Sequence, residues 1–246
     1  MTLAVTILGS SGIYGTPPRA ASGYLVEVDG AQLWLDAGAG TWRNLLMLCD
    51  YPSIDGVLLT HRHPDHTTDV FQALHARQYG QTQPLSPIPL WAPAETIEVL
   101  RNYSPEISKS FDLQEVSDDR TIAFDGATVS FVRMAHPPVT FGVRVEHRGK
   151  VFAYSADSGL EADFETLARS ADLFVCEATF QDADDPWTGH LSASQAGSLA
   201  AKAGVARLVL THLPPGRDHV RTLEEAQRAA GSIPVELAED QRRFNL

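Results

Sequence analysis

Apolar residues come in short runs of strand length, separated by stretches with helical spacing, from one end of the chain to the other. Alternation of this kind predicts a layered α/β protein. Residues 3–8 read as a first strand. Residues 23–28 and 32–35 alternate as a hairpin turning at Asp29-Gly30, a strong short-range turn signal. Helical spacing follows around Trp42, Leu45, Leu46 and Leu48. The run Gly56-Val57-Leu58-Leu59-Thr60 is the strongest candidate for a buried strand. Pro64, suited to a helix's first turn, should open a helix through Tyr79 that buries Val70, Phe71 and Leu74. Further on, strands are predicted at 88–91, 141–146, 151–154, 173–176 and 208–210. Helices are predicted at 94–101 and 164–170, His190-Leu191-Ser192-Ala193 opens an Ala-rich helix, and a final helix and strand close the chain.

No apolar stretch exceeds strand length, so no transmembrane helix is predicted. The first residues lack a basic leader and read as a strand rather than a signal peptide, which makes the cytoplasm the expected compartment. A length of 246 residues suits one large domain over 1–246. Cys49 and Cys176 lack zinc-pair spacing and cannot form a disulfide framework, so both are expected as buried thiols. The net charge of −12 and the presence of only three lysines argue against a long nucleic acid as partner, because such affinity comes mainly from Lys and Arg neutralising phosphates.

Candidate chemistry concentrates in His61-Arg62-His63-Pro64-Asp65-His66, directly after the predicted buried strand. Neutral imidazole suits zinc-like ions and a carboxylate adds a hard anionic ligand, so three His and one Asp within six residues can grip divalent cations. His61 and His63, two apart in extended chain, should face the same side, while Asp65 and His66 should stand at a helix start. Asp36, His136, Asp157 and His212 each also follow an apolar strand-like run, as ligands do at the carboxyl ends of α/β strands. The Gly9–Gly15 segment lacks the patterns of a nucleotide-binding loop.

This constellation resembles the metallo-β-lactamase superfamily along the whole chain. The resemblance implies a four-layer αββα sandwich in which His61, His63 and His136 hold one metal ion. Asp65, His66 and His212 would hold a second, Asp157 would bridge the two, and Asp36 would orient the ligand turn from behind. Two divalent ions are expected, Zn(II) first with Mn(II) or Fe(II) as alternatives, because a set of imidazoles and carboxylates without sulfur tolerates all three rather than choosing one. Glu177-Ala178-Thr179-Phe180 and His190-Leu191-Ser192-Ala193 resemble the segments that carry an accessory Glu and His in ribonuclease Z and related phosphodiesterases, where the His contacts the scissile phosphate. His136 and Asp157 are only 21 positions apart, which leaves no room for the tRNA-gripping arm of ribonuclease Z. The opening Gly-Ser-Ser-Gly and the run Leu210-Thr211-His212-Leu213-Pro214-Pro215 look more like the small armless cyclic-nucleotide phosphodiesterases.

The expected activity is therefore metal-dependent hydrolysis of a small cyclic phosphodiester such as a cyclic nucleotide. Asp65, Glu177 and His190 are the candidate catalytic groups beside the ligands. Alternatives are a tRNA 3′-processing endonuclease, a thioester or lactam hydrolase, or a metal-binding sensory module without catalysis. A small-molecule substrate, no membrane and room for a homodimer complete the expectations.

Overall fold

The computed structural model describes residues 2–185 and 187–246. Its chain runs through β1 (Leu3–Gly9), β2 (Gly23–Val28), β3 (Ala31–Ala37), α1 (Thr41–Leu46), β4 (Gly56–Leu58), α2 (Pro64–Thr67), α3 (Val70–Tyr79), β5 (Ile88–Ala92), α4 (Ala94–Tyr103) and β6 (Phe111–Glu115). The second half comprises β7 (Thr121–Phe124), β8 (Ala127–Arg133), β9 (Phe141–His147), β10 (Lys150–Tyr154), α5 (Phe164–Ala168), β11 (Leu173–Glu177), α6 (Ala193–Ala203), β12 (Leu208–Thr211), α7 (His219–Ala230), β13 (Val235–Leu237) and β14 (Arg243–Asn245). Two seven-stranded sheets result, ordered β14-β1-β2-β3-β4-β5-β6 and β13-β12-β11-β10-β9-β8-β7.

Residue alternation explains why the sheets face each other. Along β3, Leu33 and Leu35 enter the core between the sheets, while Trp34 packs under α1 and α3. Along β11, Leu173 and Val175 join that same inner core, while Phe174 and Cys176 pack under α5 and α6. Successive side chains point to opposite faces of a strand, so a strand apolar at every position needs cover on both sides. The helices supply the outer cover, and the αββα sandwich expected from the sequence is the result.

Each sheet is antiparallel on one flank and parallel on the other, with β3 to β6 parallel in the first and β10 to β13 parallel in the second. The carboxyl ends of β3, β4, β10, β11 and β12 carry Asp36, His61, Asp157, Glu177 and His212. The Asp29-Gly30 turn has both residues at positive φ, as a two-residue hairpin requires.

Three local expectations need correction. The helix expected from Pro64 to Tyr79 is two helices, α2 and α3, broken at Thr68-Asp69. The Asp69 N–H donates to Ala37 O (2.8 Å), and its carboxylate accepts from the Gly40 and Trp42 amides, so Asp69 is tied to the strand-end loop rather than to the helix before it. Cys49 is half-buried, not buried, because it follows the end of the short α1 near the surface; Cys176 is buried, and both thiols are free. The chain closes with two short strands rather than one, β13 extending the second sheet and β14 pairing with β1. Among the described residues no helix is long and apolar enough to cross a membrane.

Candidate active site

The strand ends converge on one cluster. Donor atoms of His61, His63, His136 and Asp157 lie within 4.8 Å of one another, and so do those of Asp65, His66 and His212. Every ligand candidate read from the sequence is thus brought to one place. Asp157 stands between the groups, its carboxylate 3.6 Å from His61 Nε2, 3.4 Å from His66 Nε2 and 3.5 Å from His212 Nε2. His61, His66, His136, His212 and Asp157 are buried, whereas His63 and Asp65 are partly open to solvent.

Four of the five histidines are aimed by hydrogen bonds at the far nitrogen. His61 Nδ1 lies 3.1 Å from the Thr60 hydroxyl, His66 Nδ1 2.7 Å from Asp36 Oδ2, His136 Nδ1 2.8 Å from Gly189 O, and His212 Nδ1 2.9 Å from the Thr179 hydroxyl. A proton on each Nδ1 satisfies these partners and leaves the Nε2 lone pair facing the cluster, the tautomer a metal ligand needs. His63 turns the other way and offers Nδ1, 3.1 Å from His61 Nε2 and 3.3 Å from His136 Nε2. Imidazole nitrogens so close can share one cation but cannot all carry protons.

Asp36 is the organiser behind the ligands. It is fully buried at φ +56°, accepts from the Thr60 amide (2.8 Å) and hydroxyl, and receives the His66 N–H and the Tyr154 hydroxyl (3.1 Å). Ile13, Asp36, Ala156 and His212 all adopt left-handed backbone around the cluster, a conformation costly for side chains with a Cβ and concentrated at functional sites. Ile13 uses it to donate its N–H to Asp65 Oδ2 at 3.0 Å, so the Gly9–Gly15 segment clamps a ligand carboxylate. Gly12 is needed there because a Cβ would come within 2.7 Å of His212 Nδ1. Asp36→Asn should weaken metal affinity or activity by roughly 10–100-fold, the usual cost of losing an outer partner. Unchanged metal titrations and rates in that variant would remove Asp36 from the machinery.

The second organiser is Glu177, fully buried at the end of β11. Its Oε1 accepts from the Ser158 amide (2.7 Å) and from His190 Nδ1 (2.7 Å), and its Oε2 accepts the Thr179 hydroxyl (2.6 Å) that holds His212. One carboxylate therefore fixes both a ligand candidate and His190. The His190 ring lies against His212, centroids 5.2 Å apart, and a nitrogen of it comes within 4.8 Å of Asp157 and His212 donors. Ser192, two residues on, caps α6 reciprocally with Gln195, which anchors the segment.

Electrostatics match this geometry. Burial pushes His61, His63 and His136 below their ordinary values, so they are neutral donors of lone pairs. Burial also opposes charge on His66, but Asp157, Asp36 and Asp65 outweigh it and raise that imidazole well above its ordinary value. The site is a buried basin of carboxylates that calls for cations. His66 Nε2 and Asp157 Oδ1 are buried and face each other at 3.4 Å, with no other hydrogen-bond partner among the described residues, as two ligands of one metal would. The donor set fits divalent metal ions.

A family profile described as a β-lactamase superfamily domain matches residues 31–213. The chain belongs to the metallo-β-lactamase superfamily. It is 34% identical over 237 residues to an uncharacterized protein of Mycobacterium tuberculosis, covering 92% of this chain and 86% of that one. A ribonuclease Z of Kineococcus radiotolerans is 29% identical, with 96% and 93% covered. That alignment spans 293 positions against 246 residues here, so the ribonuclease Z carries insertions that this chain lacks. The crystal structure of the metallo-β-lactamase fold protein YhfI from Bacillus subtilis superposes with a TM-score of 0.91 at 26% identity, covering 100% of this chain and 99% of that one. A diphosphatase of the PhnP family shares the fold, with a TM-score of 0.82 at 22% identity and 100% and 98% covered.

Sequence reasoning found the ligand candidates, Asp36, Glu177 and His190, but missed the groups that aim them. Thr60 and Thr179 lay inside motifs already singled out, and a hydroxyl one or two residues from a ligand or carboxylate was the available signal. Tyr154, Gly189 O and the Ile13 amide gave no signal at all, since they arrive from distant segments.

Proposed function

We propose that this chain hydrolyses small cyclic phosphodiesters, such as a cyclic nucleotide, at a centre of two divalent cations. The observation that carries this reading is His190, held at Nδ1 by buried Glu177 and with a ring nitrogen within 4.8 Å of the Asp157 and His212 donors. A hydrolase of amides or thioesters needs no such cation-capable imidazole there, whereas a phosphoryl group has equatorial oxygens that need donors.

His61, His63 and His136 would hold one cation, Asp65, His66 and His212 the other, with Asp157 shared. The ions, Zn(II) or alternatively Mn(II) or Fe(II), would supply Lewis acidity and lower the pKa of water toward neutrality. Burial lowers the pKa of His190, but the Glu177 carboxylate outweighs it and raises the imidazole to about 9, so Glu177 favours the protonated ring against the pull of nearby cations. His190 donates to a phosphoryl oxygen through Nε2 while Glu177 fixes its angle and Thr179 carries the same carboxylate's hold to His212. A protonated group near Asp65 or Glu177 would supply the leaving oxygen's proton. Asp65 itself is clamped by the Ile13 amide and partly open to solvent. Burial pushes its carboxyl up, but His66 and His212 outweigh that and hold it below the usual carboxylate range, so it stays ionised.

Selection against structured RNA follows from what surrounds the site. The stretch from His136 to Asp157 is consumed by the β9-β10 hairpin, paired from Val143–Tyr154 to His147–Lys150. A chain of net charge −12 repels a polyanion, while a singly charged cyclic nucleotide needs only the cations and His190. Elemental analysis of protein purified without chelator should approach two metal ions per chain, and a value fixed at one under metal-replete conditions would sink the dinuclear reading. The decisive comparison is kcat/KM for 3′,5′-cyclic AMP against precursor tRNA at about 0.15 M salt. Cyclic-nucleotide turnover should dominate; site-specific tRNA 3′ cleavage with negligible cyclic-nucleotide turnover would favour a ribonuclease Z activity instead.

A further inference from the structure

Beside His190 a cavity of about 560 Å³ opens to solvent, within the size range of small-ligand sites. The ligand histidines do not fill it. Its walls include Trp187, Leu160, Pro137, Glu161 and Gln195. Trp187 is the unusual member. The other three tryptophans are buried at 0–8% exposure, whereas Trp187 is 49% exposed beside a buried polar centre. Its indole stands edge-on to His136 (5.6 Å between centroids) and to His190 (5.4 Å). Gly189 permits this seat, because a Cβ at that position would lie 2.5 Å from the indole ring. The same Gly189 carbonyl orients His136, so the ring is fixed to the site's own framework.

We propose that this cavity is the subsite for the planar base of a nucleotide substrate, with Trp187 as its stacking face. This rests on the phosphodiesterase reading above and names the substrate class for that site: a nucleoside cyclic phosphate rather than a base-free diester. A ring system is the ligand that gains most from an exposed indole, since every nucleobase has a π-face. The polar groups are sparse and placed at the wall. Gln195 spends its Oε1 on the Ser192 N–H, which leaves its Nε2 amide as a donor, and exposed Glu161 offers an acceptor. One donor and one acceptor beside an aromatic face suit a base that carries an exocyclic amino group, such as adenine. An anionic rim at Glu161 also disfavours a ligand with further phosphates on that side. Trp187 is a specificity residue in this arrangement and takes no part in proton transfer.

Two measurements on the metal-loaded protein test it. Adenosine 5′-monophosphate should quench tryptophan emission saturably and ribose 5-phosphate should not, and Trp187→Phe should abolish the quenching. Absence of any base-dependent quenching would overturn the subsite, whatever the enzyme hydrolyses. Second, the ratio of kcat/KM for 3′,5′-cyclic AMP to that for its base-free ribose cyclic phosphate should fall roughly 5- to 150-fold in Trp187→Ala, mostly through KM, and recover partly in Trp187→Phe. An unchanged ratio with both diesters still hydrolysed would refute the subsite and leave the phosphodiesterase reading standing. Wild-type protein that hydrolyses neither diester would overturn that reading instead, and the quenching result would then decide the subsite alone.

Discussion

His190→Ala should retain both cations and lose roughly 10²–10³-fold in kcat, the scale of one donor removed from a developing oxyanion. The expectation comes from two distances. Glu177 Oε1 sits 2.7 Å from His190 Nδ1, which commits that nitrogen and leaves Nε2 as the only one able to reach a substrate. His212, by contrast, is held at Nδ1 by Thr179 and lies 3.3 Å from Asp65 through Nε2, inside the ligand group. If His190→Ala lost a metal ion, His190 would be a ligand, as its approach to Asp157 and His212 allows, and the assignment would fall. The pH profile gives an independent reading. With the imidazole raised to about 9, its donor contribution is present below that value and lost as pH rises through it. Bound cations a few ångströms away pull the value down, so the alkaline limb should begin below 9. Glu177→Gln removes the charge that raises His190 and should move that limb to lower pH. A profile identical in wild type and Glu177→Gln would show that His190 does not titrate in the reaction.

Legibility in the sequence followed the range of the interaction. The hexapeptide after β4 could be read because its ligands are neighbours in the chain, and the Asp29-Gly30 turn because two positive-φ residues are a local demand. The cover on both faces of β3 and β11 was not read from those strands, since residues 32–35 look like one arm of an alternating hairpin; the four layers came from the resemblance. The break between α2 and α3 could not be read, because it is set by Asp69 reaching back to Gly40 and Trp42, contacts that exist only after the strand-end loop has folded. Cys49 looked apolar by residue type, yet its place after a six-residue helix leaves it half-exposed. The second layer of the site was hidden for the same reason. Tyr154 reads as one more apolar strand position, and only the facing of the sheets brings its hydroxyl to Asp36 across 118 residues of chain. Resemblance supplied the grouping of the seven ligand candidates; spacing alone did not say which histidine belongs with which.

Exhaustive chelation should abolish turnover and cost the fold about 4 kcal/mol per cation relative to protein with metal at a thousandfold excess over its dissociation constant. For a chain of this size that lowers Tm by roughly 8–16 °C per cation, at about 2–4 °C per kcal/mol. The reason lies in what the cluster is without cations. Asp36 and Asp157 are buried within a few ångströms of each other's histidine partners, and Asp65 joins them at 3.8 Å from His66. Carboxylates gathered in this way repel one another, and protons on His66 and His212, both raised by that field, relieve the repulsion beside the hydrogen bonds from Thr60, Tyr154 and Ile13. Those protons occupy the nitrogens that a metal would take. Metal uptake should therefore release protons, and affinity should weaken as pH falls, because cations and protons compete for the same lone pairs. Calorimetric titration in buffers of different ionisation heat would count the protons, and differential scanning with and without chelator would give the Tm shift. Protein verified metal-free by elemental analysis, yet equal to the untreated protein in both Tm and activity, would show that the basin of carboxylates is stable on its own and that the chemistry lies elsewhere.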